Sequence, residues 1–172
     1  LGNVLPSVDI FLPSIDEILF MVNRPVYDRL AAQYGGEMMR GVDRKLVEET
    51  AQTLIGLGVS VAVIKLGDQG LYLRTGKAVR GRGAEWCNVS LFMPCLKANV
   101  VGTTGAGDCT IAGFLAAFVK GDGPAAAVGT AVAVGAFSTE SAEATGSVPS
   151  WEMLQKRIAF GWERKESKFI NG

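Results

Sequence analysis

A chain of 172 residues, 48% of them hydrophobic, is long enough to bury one substantial core, and that composition excludes a disordered polymer. Lys and Arg together number 17, as do Asp and Glu, so there is neither the basic field of a nucleic-acid binder nor an acidic excess. The absence of histidine removes Ser-His-Asp triads, His-ligated zinc and histidine acid–base chemistry, leaving carboxylates, Lys, Cys, backbone donors and bound ions for any catalysis.

Cys87, Cys95 and Cys109 form no CxxC pair and leave one thiol over in any disulfide scheme. That usage suits a reducing compartment, and a cytoplasmic location is expected. No run of about 18 uncharged apolar residues occurs, so no membrane span is expected. Leu1-Gly2-Asn3 has neither a basic n-region nor an initiator methionine, and reads as neither a signal peptide nor a natural start.

In chain order, Val8 to Leu12 is an apolar run stopped by Pro13 and predicts a buried strand. Ser14 then caps a helix that carries Asp16 and Glu17 in its electropositive first turn. Good capping alone accounts for these residues, yet a strand running into acidic residues at a helix start is also where α/β proteins place metal or phosphate ligands. Arg24 to Tyr34 predicts a second helix with Gly35-Gly36 as its stop. Asp43 opens a third, with Val47, Ala51, Leu54 and Ile55 on one face and Gly56 and Gly58 at its end. Val59 to Leu66 is a nearly continuous β-branched run, as in a strand of a parallel sheet covered on both faces.

Gly67-Asp68-Gln69-Gly70 is a turn, and Leu71 to Arg74 a hairpin-like return. A plain turn explains it, but Lys65 at the end of an apolar strand lies where open α/β sheets hold ligands. Gly76 to Gly83 reads as a solvated basic loop, Trp86 to Leu96 as irregular chain, and Leu96 to Val101 as a strand. Beyond it, Ile111, Phe114, Leu115 and Phe118 predict the buried face of a helix. Pro124 starts another, apolar nearly all round to about Phe137 and so expected inside the fold. Ser138 to Pro149 is a polar loop, and Ser150 caps a last helix with the stripe Trp151, Leu154 and Ile158. Helices alternating with β-rich runs indicate α/β.

The stretch with most chemistry is Gly102-Thr103-Thr104-Gly105-Ala106-Gly107-Asp108, set directly before a helix. A glycine-rich turn feeding a helix N-terminus can receive an anion on its free N–H groups, and can also serve tight strand-to-helix geometry alone. The order G-x-x-G-x-G is not the dinucleotide fingerprint G-x-G-x-x-G, and no Gly-Lys-Ser/Thr of a Walker loop follows. What remains is an anion cradle ending in a carboxylate, which can deprotonate a hydroxyl while the cradle holds the phosphoryl group under attack.

Thr103 to Asp108 resembles the C-terminal signature of the ribokinase, or PfkB, family of carbohydrate kinases. Lys65-Leu66-Gly67-Asp68-Gln69-Gly70 resembles that family's strand-end nucleotide motif, and Pro13-Ser14-Ile15-Asp16-Glu17 its Asn-x-x-Glu segment, in the same order. The resemblance implies a ribokinase-like, three-layer α/β/α fold with a mostly parallel sheet and ATP-dependent phosphorylation of a sugar hydroxyl. By it, Asp108 is the catalytic base and the N–H groups of Gly105, Ala106 and Gly107 form the hole for the transferring phosphate. Ser14 and residues Lys65, Leu66, Gly67, Asp68, Gln69 and Gly70, with Gly107, would line the nucleotide. Glu17 would organise Mg²⁺ and its waters, and the loop from about Ser138 to Gly146, with the helix before it, would close the adenine side. Gly102 stands where the family commonly has the aspartate of a monovalent-cation site, and it supplies no side-chain oxygen. Ser14 replaces the usual asparagine.

The family's first half, with its sugar-binding glycines and β lid, has no counterpart here. Residues 1–172 are therefore expected to be the C-terminal, nucleotide-binding and catalytic part of such a kinase. Its partners would be a small sugar and ATP, with neither nucleic acid nor membrane. An exposed sheet edge would favour a homo-oligomer. Two other readings stay open: a truncated or regulatory phosphate-binding module without kinase activity, and a structural α/β domain whose glycine turn is empty.

Overall fold

Val61 to Ile64, each wholly buried, form the axis of a four-stranded sheet in the computed structural model, which describes residues 1–143 and 148–170. The described chain divides into two units, Leu1–Gly67 with Tyr72–Phe92, and Asp68–Leu71 with Met93–Ile170.

In the first unit, β1 (Ile10–Phe11) pairs in parallel with β2 (Val61–Lys65), Ile10 opposite Val61 and Phe11 opposite Ala62. The expected Val8–Leu12 strand is thus shorter. Its flanks still pair: Asp9 O accepts from Ser60 N at 3.1 Å and Val61 N at 2.9 Å, and Pro13 O from Lys65 N at 2.9 Å. Pro13 can accept but has no N–H to donate, which limits the ladder there. β3 (Leu71–Thr75) follows β2 after residues 66–70 alone, too short a link for a crossover, so this pair is antiparallel. β4 (Ser90–Met93) is antiparallel to β3, continuing the bonds Thr75 N to Val89 O at 3.0 Å and Asn88 N to Gly76 O at 2.8 Å. Where a mostly parallel sheet was expected, the described sheet is mixed.

β4 corrects the expectation of irregular chain from Trp86 to Leu96. It is an edge strand with no fully buried residue, and its apolar stretch, Leu91-Phe92-Met93, is shorter than that of β2 and stopped by Pro94. Tertiary partners hold it: the Tyr72 ring lies 4.4 Å from Phe92, and the Tyr72 hydroxyl is 2.9 Å from Ser90 Oγ. The strand expected over Leu96 to Val101 is absent; Leu96 alone makes a bridge, to Arg164, and Val100 and Val101 are exposed.

Helices α1 (Ile15–Val22), α2 (Arg24–Tyr34) and α3 (Arg44–Gly56) lie where the caps predict. Gly35, at φ +56°, ends α2 and leads into a short 3₁₀ stretch to Gly41. The Asp43 carboxylate accepts from Leu46 N at 2.7 Å and so caps α3, whose Val47, Ala51 and Leu54 are buried.

In the second unit, α4 (Ala106–Lys120) packs on α5 (Pro124–Ser138), which is buried nearly all round as its composition predicts. The buried face of α4 differs from the one expected. Cys109, Gly113, Phe114 and Ala117 are buried, while Leu115 is 38% exposed and Ile111 and Phe118 are half-buried. Small residues decide this: a Cβ on Gly113 would stand 2.9 Å from Val134 Cβ and 3.2 Å from Ala131 Cα, so the helices meet along the glycine–alanine side. α6 (Trp151–Ala159), capped by Ser150 Oγ accepting from Met153 N at 3.2 Å, buries only Leu154.

A polar clamp ties α6 to the end of α5. Arg157 donates from both terminal nitrogens to Glu140, at 2.6 and 2.8 Å, and its guanidinium lies 3.6 Å from the Trp162 ring centroid. The Arg157 hydrogen bonds, ahead of the opposing effect of burial, hold the Glu140 carboxyl below its usual range. A depressed carboxylate stabilises the fold above its unfolded pKa, and that contribution is lost as pH falls through the folded value. Glu140→Gln is therefore expected to cost about 1 kcal/mol at pH 7. The difference from wild type in thermal unfolding should shrink as pH is lowered below the ordinary glutamate pKa of about 4.3. A pH-independent difference would mean that the pair's charge is immaterial.

Candidate functional site

In the first unit the ends of β1 and β2 bring Ser14, Glu17 and Lys65 together. Ser14 bridges Lys65 across the parallel pair, and α1 starts at that point. The Glu17 carboxylate reaches back to accept Ser14 N–H at 2.8 Å, the return half of a capping box. Hydrogen bonds from the Ser14 side chain and backbone, with a smaller attraction from the Lys65 ammonium, hold Glu17 below the ordinary carboxylate range. The capping reading of Glu17 is thus realised. A carboxylate has about four lone-pair directions, so a water or hydrated cation can still be held beside the cap.

The strand-end motif divides by residue. Leu66 is wholly buried, and its side chain belongs to the core. Gly67 has φ +59° with open space around it, while Asp68 is exposed and accepts from Gln69 Nε2 at 3.2 Å. Gln69 Oε1 in turn accepts Lys168 N at 3.2 Å. Gly70, at φ +109°, lies against the backbone of Met93 and Pro94, so close approach of two chain segments accounts for this glycine.

In the second unit a left-handed glycine turn leads directly into α4. Gly105 is left-handed, at φ +76°, in the capping position, and Cys109 N donates to its carbonyl at 2.9 Å. Ala106 N donates to Thr103 O at 3.2 Å, so this member of the expected hole is already engaged in the turn. Among the described residues the N–H groups of Gly105, Gly107 and Asp108 have no protein acceptor, as the first turn of a helix dictates. Asp108, third in the helix, is exposed and makes no ion pair among the described residues. As the third residue of α4 it puts a negative charge in the first turn, at the positive end of the helix dipole.

Gly102 is held by the chain that follows α5. Val101 N and Gly102 N both donate to Thr139 O, at 2.8 and 3.2 Å. A Cβ on Gly102 would stand 3.1 Å from Ser141 O and 3.2 Å from Ala142 Cα, both backbone atoms. Nothing in the sequence signals this approach, because its partners are distant in the chain. Gly102→Asp is expected to cost about 1–2 kcal/mol, read as a lowered midpoint of thermal unfolding. An unchanged midpoint would show that residues 141–142 yield freely. Residues 144–146 of the expected adenine-side loop lie outside the described residues.

No helix among the described residues is long and apolar enough to cross a membrane. A search of curated proteins finds no match. Solved structures do match. The ribokinase of Thermotoga maritima is 26% identical with a TM-score of 0.66, covering 92% of this chain and 45% of that one. The Arabidopsis thaliana ribokinase, complexed with ribose and ATP, is 24% identical with a TM-score of 0.66, covering 94% and 44%. The Vibrio cholerae O395 fructokinase, in a form bound to fructose, ADP and calcium ion, is 20% identical with a TM-score of 0.63, covering 90% and 42%. The chain thus spans less than half the length of these relatives, and its fold is the corresponding portion of the ribokinase-like α/β fold. A sequence profile of pfkB family carbohydrate kinases matches residues 1–151, and the chain belongs to that family.

Proposed function

We propose that residues 1–172 carry the nucleotide-binding and catalytic part of an ATP-dependent sugar kinase, which transfers the γ-phosphoryl group of ATP to a sugar hydroxyl. One observation carries this reading: the exposed Asp108 follows the left-handed Gly105 turn, in a first helical turn whose Gly105, Gly107 and Asp108 N–H groups have no protein acceptor among the described residues. In the proposed reaction the sugar hydroxyl gives its proton to Asp108, its oxygen bonds to the γ-phosphorus, and the bond to ADP breaks. The N–H groups of Gly105 and Gly107, with the turn fixed through Ala106, receive the equatorial oxygens, where each preorganised donor is worth about 3 kcal/mol.

ATP fits this turn because its phosphates need fixed N–H donors and an approach free of side chains, which Gly105 and Gly107 provide. Mg²⁺ neutralises phosphate charge when bound. One carboxylate kept ionised by Ser14 and Lys65 suits an ion carried mainly by phosphate oxygens and water, so Glu17 would hold it through water. By the family resemblance, Ser14 and Lys65 of the first unit and residues Gly67 to Gly70 are the further candidates for nucleotide contacts. Gly102 adds no oxygen ligand, and we propose no monovalent-cation requirement.

The sugar class rests on the family and on relatives crystallised with ribose or fructose. The test is transfer from Mg-ATP to ribose, fructose, 2-keto-3-deoxygluconate and nucleosides by the full-length polypeptide. Turnover of none of them refutes the kinase reading. Coverage of less than half of each relative supports a second reading, a phosphate-binding module without activity. Substantial turnover by a verified 172-residue species would refute that alternative.

A further inference from the structure

We infer that Thr110, whose hydroxyl occupies the space left by the missing side chain of Gly135, is a positioning residue for the phosphate-facing turn of α4; this rests on the kinase reading above. Thr110 Oγ1 donates back to Ala106 O at 2.8 Å. The Ala106 carbonyl and the Gly107 N–H belong to one planar peptide unit and point in opposite directions. That carbonyl is also the ladder acceptor of Thr110 N, so the hydroxyl adds a second bond that narrows its direction and with it the aim of the Gly107 N–H, one of the donors without a protein acceptor among the described residues. Ala106 N is tied to Thr103 O at 3.2 Å, so both peptide units around Ala106 are constrained.

Gly135, buried on α5, completes the arrangement. A Cβ there would land on Thr110 Oγ1 and stand 3.6 Å from Ala106 O. Thr divides between two rotamers in a helix, so a methyl at 135 would drive the hydroxyl out of the one that reaches Ala106. Intrinsic helix propensity does not account for Thr110. A back-bonded threonine slightly destabilises and bends a helix, and alanine is the better helix former. At Gly113, where the helices also approach closely, the nearest atoms belong to Val134 and Ala131, and no hydroxyl is needed.

The test uses the full-length polypeptide with Thr110→Ala, Thr110→Ser, Gly135→Ala and the Thr110→Ala/Gly135→Ala double variant. Thr110→Ala should lower kcat about tenfold with the sugar KM unchanged, because a small misplacement at the reacting centre is costly. Thr110→Ser keeps the hydroxyl and should restore wild-type kcat. Gly135→Ala should lower kcat similarly, and the double variant no further, since both changes remove one bond. In the ligand-free protein the Gly107 amide proton resonance should move in Thr110→Ala and not in Thr110→Ser. A kcat within about twofold of wild type in Thr110→Ala, an equal loss in Thr110→Ser, or an unmoved Gly107 resonance would each overturn the inference. The serine–alanine comparison decides even where Gly135→Ala fails to fold. Absence of turnover in the wild type would refute the kinase reading and this inference with it; an active wild type with an unaffected Thr110→Ala overturns the inference alone.

Discussion

Asp108→Asn in the full-length polypeptide is expected to lower kcat for phosphoryl transfer by about 10³-fold. The change is nearly isosteric, so the first turn of α4, begun by Cys109 N on Gly105 O at 2.9 Å, should form as before. What is lost is a proton acceptor and a negative charge near the helix N-terminus. The charge at that exposed position is worth about 0.3–1 kcal/mol of stability, too little to account for a thousandfold loss through unfolding. Nucleotide binding should behave oppositely. A carboxylate repels the phosphates it adjoins, so its removal should leave affinity for Mg-ADP equal or tighter, measured by the shift in thermal unfolding with ligand concentration. Near-wild-type turnover would sink the assignment of Asp108 as base. Loss of ADP affinity together with turnover would mean instead that Asp108 shapes the cradle.

The elements legible in the sequence are those whose reasons are local. Val61 to Ile64 of β2 is an unbroken apolar run, α5 is apolar nearly all round, and Ser14, Asp43 and Ser150 stand at the three helix starts where they were expected. The glycine turn is legible for the same reason, since the left-handed Gly105 and the helical Asp108 belong to one short local segment. Elements held by distant partners were not. β4 depends on Tyr72, the clamp of Arg157 on Glu140 joins two helix ends, and Trp162 Nε1 donates at 2.6 Å to Lys97 O. The face of α4 was misjudged because hydrophobic periodicity favours large residues, whereas close helix packing selected Gly113 and Ala117. The site follows the same division. Which residues are chemically suited can be read from short motifs, but Gly102 under Ser141 and Ala142, and Gly135 against Thr110, need the fold.

The strand-end motif poses the sharpest choice between ligand binding and structure, and Gly70→Ala resolves it. At φ +109° an alanine is strained by about 1–3 kcal/mol. Its Cβ would also overlap the Met93 carbonyl oxygen and stand 2.8 Å from Pro94 Cα. These are backbone atoms that cannot rotate away, so overpacking adds about 1–3 kcal/mol more. A total near 4 kcal/mol is a large part of an ordinary domain's stability and should lower the unfolding midpoint by roughly 10 °C. Gly67→Ala provides the contrast. Its left-handed φ of +59° carries strain of only about 1–2 kcal/mol, and a methyl there meets nothing within 4 Å. If both glycines served mainly to let a nucleotide approach, the two alanine variants would weaken Mg-ADP binding alike and unfold alike. The geometry requires them to separate, with Gly70→Ala failing in stability and Gly67→Ala folding near normally, so that any loss of ADP affinity in the latter reports directly on the nucleotide. Equal unfolding midpoints for the two would refute the backbone contact as the reason for Gly70.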